Sequence, residues 1–189
     1  VKKQGSEKSL KLSVKEKQWI RNHPVIRYSE VDWKPLSIIR NNKMYGIMGE
    51  YLDKVSELTG INFKFIPSSS WLNVLEQFKA KKIDIVPGIG ASPQEIKLGI
   101  LSDTFASYPM VIVTGQEYSY LDSLKNFKDK IIAVPKYYTS YNFIVNKYPK
   151  IRLITTSTIE EALVMVESGE ADAFVGHITP TLHYISKLN

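Results

Sequence analysis

The side chains able to do chemistry in this 189-residue chain cluster just after short apolar runs. Trp33 and Pro35 follow Val25 to Ser29, and Gly88, Gly90 and Ser92-Pro93-Gln94-Glu95 follow Ile83 to Val86. Tyr137-Tyr138-Thr139-Ser140 follows Ile131 to Val134, and His177 follows Ala173 to Gly176. Glu95 could grip a cationic group. The same four residues also spell a capping box, with Glu95 bonding back to the Ser92 N–H, and the cap is the preferred reading. Hydroxyls and N–H groups at Tyr137 to Ser140 suit an anionic or hydroxylated ligand, or equally a plain helix cap. His177 reads as a ligand contact or pH-sensitive latch, or as a solvated turn residue. Trp33, exposed on its loop, reads as a contact residue. Trp71, Phe105 and Tyr108 divide between cleft lining and core packing, and Asp84 and Asp172 read as strand-entry caps. His23, His177 and His183 stand at unrelated places, and no His/Glu spacing makes a metal site. No nucleophile, base and orienting group converge, so no catalytic residue and no cofactor are expected.

The elements that must hold these residues form a unit that occurs twice. Each copy is an amphipathic helix, a turn, a short apolar strand opened by Asp, a Gly, and a Ser/Thr-Pro helix start. The first copy runs from Trp71 to Pro93 and the second from Ile159 to Pro180. In each, a buried strand ends where a helix begins, so N–H groups point outward at the strand's carboxyl end. Open α/β sheets place ligand crevices at such points. Two copies predict two lobes facing each other across a cleft.

Along the chain, residues 1–12 read as a polar linker. Ser13 and Glu16 cap a helix that reaches Asn22 and is stopped by His23-Pro24; Trp19 is expected to be buried against it. Strand, helix, strand, helix, strand then follow: Val25 to Ser29, Ile47 to Leu58 ended by Gly60, Ile61 to Ile66, Trp71 to Phe78, and Ile83 to Val86. That order demands a parallel, doubly wound sheet. Tyr108 to Thr114 reads as an extended crossover. The pattern then repeats through Ile131 to Val134, Ser140 to Lys147, Ile151 to Thr155, Ile159 to Ser168, Ala173 to Gly176 and Pro180 to Lys187. The expected division is a linker (1–12), lobe 1 (13–107), a crossover hinge strand (108–114) and lobe 2 (115–189). A return of the chain to lobe 1 is absent from this reading, so a lobe completed by another chain, or a homodimer, stays open.

Composition narrows the function classes. The hydrophobic fraction of 43% and charged fraction of 23% are ordinary for a soluble domain. No apolar run approaches the roughly 18 residues that span a membrane. Val1 opens the chain without a signal-peptide core, so a mature or excised segment is expected. Cys is absent, which excludes disulfides and thiolate metal sites. Of the net charge of +6, residues 1–17 carry six Lys against Glu7 and Glu16, a surplus of +4. A solvated basic segment is the reading of that run, and no nucleic-acid partner is expected.

In their order and spacing these segments resemble the type 2 periplasmic solute-binding fold, the Venus flytrap domain. Leu12-Ser13-Val14-Lys15-Glu16-Lys17-Gln18-Trp19-Ile20 with His23-Pro24 is similar to the "LTxEExxWLxxHP" entry of flytrap domains in Bvg-type hybrid sensor histidine kinases. Gly46 to Leu52 with Leu58-Thr59-Gly60 resembles "GiaaDyl…itG", and Ser92 to Glu95 stands where "TPER" is common. Leu101 to Phe105 resembles "FSxPY", and Glu170 to Gly176 resembles "GxaDAvig". The resemblance implies a two-lobed α/β fold, each lobe a doubly wound, mostly parallel sheet with the C-terminal return segment missing. It implies an extracytoplasmic, non-enzymatic sensor domain that binds a small molecule between its lobes and touches the membrane only through a parent protein. A free transport-type binding protein and the non-catalytic flytrap part of a lytic transglycosylase are the alternatives. In amino-acid-binding members the Arg of "TPER" holds the ligand carboxylate and an Asp holds its ammonium. Glu95 and His177 occupy those places here, so a classical α-amino acid is not the expected ligand.

Overall fold

The computed structural model describes residues 10–116, 118 and 123–188; the first nine residues of the expected linker lie outside that range. Three sheets organise the described residues, two of two strands in lobe 1 and one of four strands in lobe 2. In lobe 1, β1 (Val25–Tyr28) pairs in parallel with β4 (Asn62–Phe65), with Ile26 opposite Phe63. A hairpin of β2 (Ile38–Arg40) and β3 (Lys43–Tyr45) turns through Asn41 and Asn42, both at positive φ. Helices α2 (Ile47–Thr59) and α3 (Trp71–Lys79) cover the sheet, and α4 (Pro93–Ile96) follows its last loop. The lobe 1 core holds Tyr28, Leu36, Met44, Met48 and Leu52 on one side and Trp71, Val74, Leu75 and Ile83 on the other.

Lobe 2 is a four-stranded sheet ordered β5 (Met110–Thr114), β8 (Ala173–His177), β6 (Ile131–Pro135), β7 (Arg152–Thr156). β6 runs parallel to both β7 and β8, whereas β5 closes the edge antiparallel to β8. Helices α5 (Thr139–Lys147), α6 (Ile159–Glu167) and α7 (Ile178–Leu188) flank it. Its central strands are apolar without interruption because both faces are covered. Ile132, Ala173 and Val175 pack with Phe127 and Ile144 on one face, while Ala133 and Phe174 meet Ile159, Ala162, Leu163 and Val166 on the other. Each fully buried aliphatic or aromatic side chain there contributes about 1.5–3 kcal/mol. Met110–Thr114, read as part of a crossover, is thus an integral strand of the lobe 2 sheet.

Two expectations need correcting. Ile83 to Val86 was expected to be a strand, yet only Ile85 bridges Tyr28. The Asp84 carboxylate accepts the Arg27 N–H (2.8 Å) that a ladder carbonyl would have taken, and Pro87 has no N–H to extend the pairing. Helix α1 (Val14–Asn22) has its Ser13–Glu16 capping box but buries no residue. Trp19 is 48% exposed and stacks on His23 with ring centroids 4.4 Å apart. The ring finds its apolar partner one turn along its own helix end, not in a core.

The Asp of the repeated unit does the same work in both lobes. Asp84 Oδ2 accepts the Arg27 N–H of β1, and Asp172 Oδ2 accepts the Ile131 N–H of β6 (2.7 Å). Each ties the start of its segment to an earlier strand, β1 in lobe 1 and β6 in lobe 2. Side-chain hydrogen bonds, from Arg27 to Asp84 and from Tyr118 to Asp172, hold both carboxyls below the usual carboxylate range.

Candidate ligand cleft between the lobes

Residues at the carboxyl ends of β1, β6 and β8, with Trp71 and Gly88, line a cavity of about 30 Å³ that opens to solvent. Lobe 1 supplies Glu30, Val31, Trp33, Trp71 and Gly88; lobe 2 supplies Tyr138, Thr139 and His177. A space of that size suits a few heavy atoms.

Glu30 is the charged group of this wall. It leaves β1 two residues past Tyr28 and is 2% exposed. Its Oε1 accepts the Val31 N–H and its Oε2 the Gly88 N–H, each at 3.0 Å. Gly88 permits this approach, since a Cβ there would stand 2.4 Å from Glu30 Oε2. Burial pushes the carboxyl up to about 7, against the pull of those two N–H groups. Tyr138 lies close enough that burial first, and the Glu30 charge second, raise its phenol well above the ordinary value.

The aromatic groups divide the remaining surface. Trp33 packs against the cores of both lobes and meets His177 edge-on at 5.6 Å between ring centroids. Its indole N–H is buried and has no hydrogen-bond partner among the described residues. His177 Nδ1 bonds the Tyr108 carbonyl at 3.1 Å, which fixes the ring at the end of β8. Trp71 opens α3 and donates its Nε1–H across the gap to the Tyr137 carbonyl at 3.1 Å. Tyr137 holds φ at +67°, a conformation costing an L-residue roughly 1–2 kcal/mol, and its carbonyl serves this lobe–lobe bond.

Two further contacts join the rims. Thr139 donates its hydroxyl to Glu95 Oε1 at 3.2 Å, and the Gln94 and Asn146 amides exchange hydrogen bonds of 3.0 and 3.1 Å. Glu95 is also the capping residue the sequence suggests: its Oε2 accepts the Ser92 N–H while Ser92 Oγ accepts the Glu95 N–H. Gly90 sits under this junction, where a Cβ would come within 2.5 Å of Thr139 Oγ1.

Of the residues singled out in the sequence, the structure gathers Trp33, Trp71, Gly88, Tyr138, Thr139 and His177 around the cavity. Gly90, Ser92, Glu95, Tyr108 and Tyr137 stand behind them as rim or support. Ser140 is buried in the first turn of α5, and the Pro35 carbonyl lies against Gly46. Phe105 stacks on Tyr51 at 4.5 Å on the outer surface and does not line the cavity. Glu30 and Val31 were missed. The signal for Glu30 was an acidic residue immediately after a first strand, but its partner at Gly88 lies 58 residues away. Among the described residues no group of three or more His, Asp or Glu side chains could hold a metal, and no helix is long and apolar enough to cross a membrane.

The model of the bacterial extracellular solute-binding proteins, family 3, matches residues 26–151. The chain belongs to that family. Membership places it on the extracytoplasmic side of the membrane. The Escherichia coli K12 sensor protein EvgS is 29% identical over 170 residues, which is 89% of this chain and 14% of EvgS. The virulence sensor protein BvgS of Bordetella pertussis Tohama I is 22% identical over 177 residues, 93% of this chain and 14% of BvgS. The chain thus spans about one seventh of the length of these curated relatives. The crystal structure of the periplasmic VFT2 domain of B. pertussis BvgS superposes with a TM-score of 0.79 at 22% identity, covering 92% of this chain and 75% of that one. The ancestral amino acid-binding protein AncCDT-1 gives 0.76 at 24% identity, covering 90% and 78%. These likenesses establish the type 2 periplasmic-binding-protein fold. They also bear out the resemblance to flytrap domains of the Bvg type read from the entry segment.

Proposed function

We propose that this family member is a sensor domain that binds a small molecule between its lobes and reports its lobe arrangement to a kinase-type output module of a larger protein. The observation that carries the reading is the cavity lined from both lobes, with Glu30, Trp33 and Trp71 facing Tyr138 and His177. A ligand there touches both lobes only when they are together, so it favours the closed arrangement by the difference in its affinity for the two states. The sensor names of EvgS and BvgS support the signalling half. Its lining residues bind and orient, and no reaction is assigned to them. The test is a thermal-shift screen of amines, carboxylates, amino acids and sugars. A cleft ligand at 100 times its dissociation constant adds about 2.7 kcal/mol, and Trp71→Ala removes the gain. A Tm gain that survives Trp71→Ala and Gly88→Val together contradicts binding in the cleft.

A further inference from the structure

We propose that the cleft selects a compact organic cation without a carboxylate, a small primary amine or alkylammonium, held by Glu30 beside Trp33 and Trp71. This rests on the cleft-binding reading above and deepens it to a ligand class.

Three observations converge. First, among the described residues Glu30 is the one carboxylate in the cavity wall, and no Lys or Arg lines it. Each of its oxygens accepts a single backbone N–H, which leaves a lone pair on each for a further donor. An ammonium group meets that demand with a charge-assisted hydrogen bond. Second, the remaining wall is aromatic, with Trp33, Trp71 and Tyr138 around the same space. Indole and phenol rings accept alkyl groups and attract cations. Third, the wall offers an anion the Trp33 indole N–H and the start of α5 but no Lys or Arg as a counter-charge. Glu95 at the rim is 2% exposed and already bonded to Ser92 and Thr139. A zwitterion would place its carboxylate in a space that contains Glu30 and lacks a counter-charge. The volume of about 30 Å³ further favours ligands of a few heavy atoms.

Ionisation of Glu30 gives the selection a proton signature. The other titratable groups facing the cavity are Tyr138 and His177. Burial keeps the Glu30 carboxyl protonated up to about neutral pH, so capture of a cation near pH 6 expels its proton.

The experiment is isothermal titration of the intact chain with methylammonium, ethylammonium and ethanolamine. Acetate, glycine and acetamide serve as carboxylate, zwitterion and neutral controls at equal ionic strength. The expected result is binding of the amines alone. Glu30→Gln should weaken it roughly tenfold or more, while Glu30→Asp, which keeps the charge, retains part of it. Circular dichroism and Tm confirm that both variants fold. Titrations at about pH 6 in buffers of differing ionisation enthalpy should show close to one proton released per amine, and none at about pH 8.5. Unchanged amine affinity in Glu30→Gln, or binding without proton release at pH 6, overturns the proposal. Binding of acetate, glycine or acetamide in place of amines overturns the ligand class and leaves the cleft reading intact. If no compound of any class binds, both readings fall.

Discussion

Replacing Glu30 by Gln should flatten the pH dependence of stability between about pH 4.5 and 8. In the folded chain the Glu30 carboxyl keeps its proton up to about pH 7, whereas in the unfolded chain it releases it near the ordinary value of 4.5. Between those limits the folded state binds more protons, so stability falls as pH rises. The contribution is fully present below about pH 4.5 and gone above about pH 7. Each pH unit of difference corresponds to about 1.4 kcal/mol, so the wild type loses about 3 kcal/mol across this window from Glu30 alone. The Gln variant has no such slope. It carries a constant penalty instead, because its amide offers one acceptor oxygen where Val31 and Gly88 present two N–H groups. An unpaired buried donor costs about 1–3 kcal/mol at every pH. His183, whose imidazole burial holds below its ordinary value, works in the opposite direction. It is common to both proteins and cancels in the difference. Urea unfolding of the two proteins in parallel at several pH values measures the effect. Stability curves that stay parallel from about pH 5 to 8 would refute the burial argument for Glu30.

Other perturbations test the lobe–lobe junction. Gly90→Val drives a side chain into Thr139 and Glu95; it should cost about 1–3 kcal/mol and enlarge the radius of gyration seen by small-angle scattering. Trp71→Phe keeps an aromatic ring at the start of α3 but removes part of its volume and strips the bond to the Tyr137 carbonyl. The expected loss is about 1–3 kcal/mol, read as a Tm lowered by several degrees, and an unchanged Tm contradicts that contact. Ser92→Ala removes the α4 cap and should cost about 1 kcal/mol while leaving affinity for a cleft ligand unchanged, since Ser92 does not line the cavity. A matching loss of affinity would put Ser92 in the site.

Local signals carried most of the architecture. Periodic apolar positions locate α2, α3, α5, α6 and α7, and the spacing of Ser13 to Glu16 and Ser92 to Glu95 marks both capping boxes. Asp84 and Asp172 were legible as strand-entry ties because each opens the strand of a repeated unit. What stayed hidden depends on contacts far apart in sequence. The Asn41-Asn42 turn was available as a hairpin signal, but three-residue strands are too short to show alternation. Ile83 to Val86 has strand composition, and its pairing is limited by the Asp84 side chain competing for β1. Glu30 looked like an ordinary loop acid until the fold brought the Gly88 backbone to it. The capping box read at Ser92 to Glu95 is present, and Glu95 is also committed to Thr139.

The central claim is that a solute draws these two lobes together. With no native cysteine, spin labels at Glu57→Cys on α2 and Glu167→Cys on α6 report the lobe separation by pulsed electron spin resonance. A compound that raises Tm should shorten and narrow the distance distribution, and Gly90→Val should broaden it toward longer values. A distribution that no Tm-raising compound alters would contradict the account.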